Sequence, residues 1–294
     1  MCWSIECFLI FLTSVDLPVI HLTMNHFKIE SGWGPDRKPA ALTISFDNLG
    51  EAALLEMGLW DKPIGQHYTA AFVPSLIEVL GDVPATYFIE ASNTLLYPEA
   101  IQNWHRAGHE VGLHGWRHEA WDRTDAQDRR RILRQSLDAM RALGIAPVGF
   151  RPPGGTLPRE AYAEFAEAGL LYCSDLREPV TAVIDGIVSV PFEWRNVDVF
   201  VLEEVAKPLR VAFGDQEQPF SVDYWAAILD NTVNAALIEG GQRTVVFHPE
   251  FLAVSDEKLC ALKHLLQLAK KADMWLARGV DVAKFVRGEM VAKS

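Results

Sequence analysis

From Pro39 onward, short runs of apolar and β-branched residues alternate with longer stretches in which apolar residues return every three or four positions. "AALTISFD" (40–47), "PATYFIE" (84–90), "HEVGLH" (109–114), "PVGFRPP" (147–153), "LLYCSD" (170–175), "GIVSVPFEW" (186–194) and "RTVVFHPEF" (243–251) predict strands. Between them, 69–81 closed by Gly81, 97–108 closed by Gly108, 125–144, 158–169 and 222–240 predict helices, and 255–272 adds the last long one. Alternation over this length implies an α/β protein, with a parallel sheet and helices outside it. About seven such units closing on themselves make a barrel.

The polar residues cluster at one end of this pattern. Asp47, His114, Arg151, Asp175 and His248 each stand at or just after the C-terminal end of a predicted strand. In parallel α/β barrels that end is where side chains converge on a common site.

Composition narrows the picture. The chain has 294 residues, 49% hydrophobic and 22% charged, enough for one large domain, expected over 36–290, with 1–35 an N-terminal extension outside the fold. A formal net charge of −12 argues against nucleic acid or an anionic membrane as partner. Cys2, Cys7, Cys173 and Cys260 are scattered without a CxxC pair, so neither a disulfide framework nor a thiolate zinc site is expected. The apolar start, residues 1–24, lacks a basic n-region, carries Glu6 and Asp16, and falls short of the about 20 uninterrupted apolar residues a bilayer span needs. Translation from Met24 and a cytoplasmic location are expected, with a poorly formed export signal as the alternative. The sequence does not fix an oligomeric state.

The motifs carry the chemistry. His114 and His118 in "HGWRH" follow a strand on one polar turn, where positions i and i+4 can chelate one cation. His105 and His109 share that spacing, but Gly108 breaks the helix between them. Spacing alone therefore leaves the first pair open between ligands and chance. Asp47-Asn48 also reads as a strand-ending Asx turn, Arg151 in "GFRPPGG" as a salt-bridge residue, and His248 in "VVFHPE" as a core histidine. Taken together they describe metal-assisted amide hydrolysis: a cation on two histidines and an oxygen, a carboxylate base, a positive charge to orient it, and a further histidine as acid.

In their order and spacing, "TISFDN", "HGWRH", "FRPPGG", "CSD" and "VVFHPE" resemble the successive motifs of the polysaccharide deacetylases, the NodB-homology carbohydrate esterases of family 4. The similarity runs from about Ala40 to Phe285 and implies a distorted (β/α)7 barrel. It further implies that Asp47 is the general base, that Arg151 pairs with it, and that His248 protonates the leaving amine. His114 and His118 become ligands of a divalent metal, zinc or in its place cobalt or nickel. Asn48 stands where the family usually has a metal-binding aspartate, which predicts weaker binding and a more electrophilic metal, because a carboxamide brings no charge. Pro153 belongs to the substrate pocket on this resemblance. Asp175 matches only loosely, since Leu176-Arg177 replace the tryptophan expected beyond it. "VPFEWRNVD" offers Trp194 and Asp198 as pocket residues, with a packing role for Trp194 as the alternative.

The resemblance thus implies N-deacetylation of an N-acetylated sugar or related N-acyl compound, with a small-molecule or oligosaccharide substrate. Hydrolysis of a small cyclic imide or ureide on the same barrel stays open, as does a non-catalytic binding role with a decayed metal site. The long insert after the first strand, with Trp60 and His67, is expected to shape one wall of the pocket.

Overall fold

Alternation along the strands decides which side chains enter the barrel. In β1 (Ala41–Asp47) all residues are buried, yet they divide by parity. Leu42, Ile44 and Phe46 join the apolar layer shared with the helices, where Phe46 meets Trp104 edge-on at 5.6 Å. Thr43, Ser45 and Asp47 take the other face and hydrogen-bond to Gln242 and Arg151. The computed structural model describes residue 29 and residues 32–293, so the expectations placed on residues 1–28 lie outside the described residues.

The other strands are β2 (Thr86–Ile89), β3 (Glu110–Leu113), β4 (Gly149–Phe150), β5 (Tyr172–Cys173), β6 (Ala182–Ile184), β7 (Ile187–Ser189), β8 (Gln242–Phe247) and β9 (Trp275–Leu276). They form one sheet in the order β6-β7-β5-β4-β3-β2-β1-β8, with β9 added to the start of β1. Every pairing is parallel except β6 with β7. The predicted barrel is thus distorted and open. Beyond β7 the chain makes only isolated parallel bridges among the described residues, Phe192 to Leu176 past the end of β5 and Val197 to Val246 of β8. The antiparallel edge is a departure from the predicted pattern: Asp185 (φ 48°) and Gly186 (φ 83°) make a two-residue hairpin turn with both residues left-handed, the geometry that matches strand twist.

The interior is filled by pairing rings with glycines. A Cβ on Gly112 would lie 2.5 Å from the Phe88 ring, and one on Gly149 would lie 2.2 Å from the Tyr172 ring. Those two aromatics therefore cross the barrel below the strand ends. Beneath them the helix Gly279–Lys293 plugs the opposite mouth, an element the sequence pattern did not predict. Its first amides are capped from inside the barrel: Gly279 N donates to Thr86 Oγ1 and Val280 N to the buried Glu110 carboxylate, both at 2.9 Å. Packing also begins before residue 36. Ile29 and Trp33 are buried in this lower cluster, and the Trp33 indole donates to Gly240 O at 2.8 Å. Among the described residues no helix is long and apolar enough to cross a membrane.

Candidate active site

Strand register assembles the site. Asp47 lies level with Phe88, Ile89 with Leu113, Leu113 with Phe150, and Phe150 with Cys173, while Phe46 pairs with Phe247. The residues that follow those ends, Glu90, His114, Arg151, Ser174 and His248, therefore share one rim with Asp47. Arg151 is fully buried and spends its guanidinium there, donating to Asp47 at 2.6 Å, to Ser45 Oγ at 3.0 Å and to Ser174 Oγ at 2.9 Å. Its flat face lies 4.2 Å from the Phe88 ring centroid and 5.0 Å from that of Phe192. Asp47 is thus held at the inner edge of the rim by a cation that has almost no freedom of its own.

Beside this pair, His114 donates from Nδ1 to Arg151 O at 2.9 Å, which leaves the lone pair on Nε2. Its ring centroid is 4.9 Å from that of His118. Burial pushes His114 down to about 3, helped by the charges of Arg151 and His248, and lowers His118 well below its ordinary value, so both imidazoles are neutral. Ligand atoms of Glu90, His114 and His118 all lie within 4.8 Å of one another. Glu90 Oε1 and Asn48 Oδ1 are both buried without a hydrogen-bond partner. A carboxylate with an orphaned oxygen beside two neutral imidazoles fits a cation better than it fits an empty polar cavity. Without one, burial pushes Glu90 up to about 8. Asn48 (φ 61°) and His118 (φ 82°) both take left-handed backbone conformations, and that of His118 is uncommon for its type.

The loop that carries the histidines is braced on Glu90's side. Ala91 N donates to Gly115 O and Ser92 N to Trp116 O, each at 3.0 Å. Glu119 accepts from Trp116 N and Arg117 N, and a Cβ on Gly115 would stand 2.6 Å from its carboxylate. Only glycine leaves that return turn open.

Across the rim, Asp198 accepts from His248 Nδ1 at 2.6 Å and from His248 N at 2.7 Å. Burial opposes charge on His248, but the charge and hydrogen bond of Asp198, with Asp47 and Glu250 further off, outweigh it and raise the imidazole to about 9. Glu250, two residues on, is pushed up to about 6 by burial.

Not every expected site residue arrives here. Asp175 is buried in its own network, accepting from Tyr162 at 2.6 Å, Arg177 at 2.5 Å and Ser189 at 2.7 Å, so it has no oxygen left for a substrate. Asp198, expected as a pocket residue, instead grips His248. Trp194 is half-buried against the core and meets Phe192 edge-on at 5.7 Å, as the packing alternative has it. Pro153 opens the turn Pro153–Gly155 directly after Arg151-Pro152, where a Cβ on Gly155 would lie 2.7 Å from Phe192. Glu90 and Glu250 escaped sequence reasoning, although Glu90 obeys the same strand-end rule that selects Asp47 and His114.

A family model described as polysaccharide deacetylase matches residues 37–173. Chitin deacetylase 1 of Cryptococcus neoformans var. grubii is 30% identical over 127 residues, which is 42% of this chain. The match spans 26% of that relative's own length. Among solved structures, a Mycobacterium smegmatis protein provisionally described as a polysaccharide deacetylase superposes with a TM-score of 0.75 at 26% identity, covering 90% of this chain and 96% of that one. An allantoinase superposes with a TM-score of 0.72 at 18% identity, covering 93% and 98%, a likeness of fold.

Proposed function

We propose, from the match of residues 37–173 to the polysaccharide deacetylase family model, that the protein hydrolyses a non-peptide carbon–nitrogen bond with a divalent metal, removing the acyl group from an N-acylated sugar or related small amide. The observation that carries this is the placement of the Asp47–Arg151 pair and the His248–Asp198 pair on one rim with Glu90, His114 and His118.

His114 Nε2, His118 and Glu90 would hold the metal, with Asn48 Oδ1 as a further oxygen, a donor set that suits zinc, cobalt or nickel. A cation bound there supplies Lewis acidity, polarising an amide carbonyl and lowering the pKa of a water to about 7. Glu90 restores the negative charge that Asn48 lacks, so the carboxamide need not leave the cation uncompensated. Asp47 takes the proton of the attacking water, oriented by Arg151. His248 is cationic near neutral pH and gives its proton to the departing nitrogen, while Asp198 keeps the ring aimed.

A second reading, ring opening of a small cyclic imide or ureide, is favoured by the insert after β1. Glu51 is buried and accepts from Gly65 N and the Tyr97 hydroxyl, and the Tyr68 hydroxyl donates to Glu250 O at 3.1 Å. This pins the insert beside His248 and walls the site, which suits a small molecule better than a long polymer. Acetate release from N-acetylglucosamine and its oligomers, measured beside ring opening of hydantoin and succinimide, tests both. Turnover of none by zinc-loaded protein would defeat the hydrolase reading.

A further inference from the structure

Two polar side chains at the wall of this site have no part in the reaction, and neither satisfies the other. Glu250 sits on the turn Pro249–Leu252, directly beyond His248, close enough that its charge acts on both His248 and Glu90. Its carboxylate accepts no hydrogen bond among the described residues, and the group facing it is His67, whose Nε2 lies 3.9 Å from Oε2. That separation is too long for a hydrogen bond. It is held from both sides by two different loops of the rim.

The hydrogen-bond pattern assigns the His67 tautomer. Thr69 N donates to His67 Nδ1 at 3.4 Å, so the Thr69 hydroxyl, which accepts from Gly50 N at 3.1 Å, turns its own proton to that nitrogen as well. Nδ1 is therefore an acceptor and the proton sits on Nε2, aimed at the gap; burial keeps the ring neutral. The ring cannot swing away. It stacks on Tyr68 at 4.7 Å, has the Trp60 ring at 5.2 Å, and its backbone N donates to Tyr97 Oη at 2.8 Å. The His67 side chain is 2% exposed and that of Glu250 is 19% exposed. Native structures rarely leave a fixed, buried donor and a carboxylate unjoined, because each loses water without gaining a partner.

We propose that His67 and Glu250 form a specificity subsite that reads a second polar group on the substrate, one that accepts from His67 Nε2–H and donates to the Glu250 carboxylate. This inference rests on the hydrolase reading above and narrows its substrate class to small amides bearing an adjacent hydroxyl or second N–H. A sugar hydroxyl and a ring N–H with its neighbouring carbonyl share that chemistry. Glu250 and His67 are specificity residues here and take no part in bond cleavage.

Two matched substrate pairs supply the test. Hydantoin and succinimide differ by a ring N–H replaced with CH2, and N-acetylglucosamine and its 3-deoxy analogue differ by one hydroxyl. Zinc-loaded wild type and E250Q are compared on all four, with thermal melting as the control for folding. Loss of one hydrogen bond to a charged partner predicts that E250Q lowers kcat/KM roughly 10- to 100-fold, mainly through KM, on the polar member of whichever pair is turned over. On the truncated member the change stays within about twofold, and the pair that responds identifies the source of the polar group. Equal losses on both members, or none on either, with melting unchanged, would overturn the subsite while leaving the hydrolase reading intact. Turnover of none of the four by wild type would overturn both.

Discussion

Arg151 and Asp47 stand 104 residues apart in the chain and 2.6 Å apart in the barrel, with 1% and 9% of their side chains exposed. The same arginine offers its backbone carbonyl to His114, so one residue fixes the candidate base and a candidate metal ligand together.

Removing one member of a buried ion pair strands the other, at a cost of about 3–5 kcal/mol. Arg151→Met should therefore lower unfolding stability by about that amount in a denaturant titration, even though the new side chain fits the aromatic slot between Phe88 and Phe192. A loss below about 1 kcal/mol would mean that water reaches the pair, as at exposed ion pairs.

The alkaline limb of the pH profile follows from Asp198. A proton donor works only while protonated, so the rate should fall as pH rises through about 9, where His248 loses its proton. In Asp198→Asn burial acts on the imidazole without its main counterweight, and the alkaline limb should move down by about two pH units or more. The stability linkage has the same sign. With a folded value above the ordinary 6.5 of a free imidazole, His248 contributes stability that is fully present below about pH 6.5 and lost as pH rises through about 9. An Asp198→Asn profile that overlays the wild type would remove His248 from the acid role.

Metal affinity separates Glu90 from Asn48. Glu90→Gln keeps the shape and removes the charge, and should weaken zinc binding at least roughly 100-fold in competition with a chromophoric chelator. Asn48→Asp should tighten it. If Glu90→Gln binds zinc as the wild type does, the third ligand lies elsewhere.

A methyl group tests the packing beneath the site. Gly149→Ala places a Cβ 2.2 Å from the Tyr172 ring, and overpacking of that kind costs about 1–3 kcal/mol. Gly144→Ala, with open space around its Cβ, pays only for its left-handed φ of 78° and should cost less. Equal losses in thermal melts would mean that the barrel interior relaxes around the added group.

Much of this arrangement is legible in the chain because strands impose a period of two and end on turns. Asp47, His114, Arg151 and His248 are visible for that reason. Glu90 meets the same condition, yet "YFIE" carries no motif to set it apart from an ordinary strand-end acid. Asp175 misleads in the opposite direction: its strand-end place is right, but Arg177, Tyr162 and Ser189 claim it, and those contacts depend on packing between elements. Asp198 follows β8's histidine only through a contact spanning 50 residues. The plugging helix Gly279–Lys293 lacks a sharp apolar stripe, since it is buried by entering the barrel's mouth rather than by lying on a flat face.

The central claim, a metal-dependent amide hydrolase built on Glu90, His114 and His118, is tested most directly by titrating zinc into chelator-stripped protein while following turnover of N-acetylglucosamine and hydantoin. Activity on one of them should start near zero, rise linearly and level off at about one equivalent of zinc, as a single catalytic site requires. Full activity before any zinc is added, or none at any ratio, would contradict it.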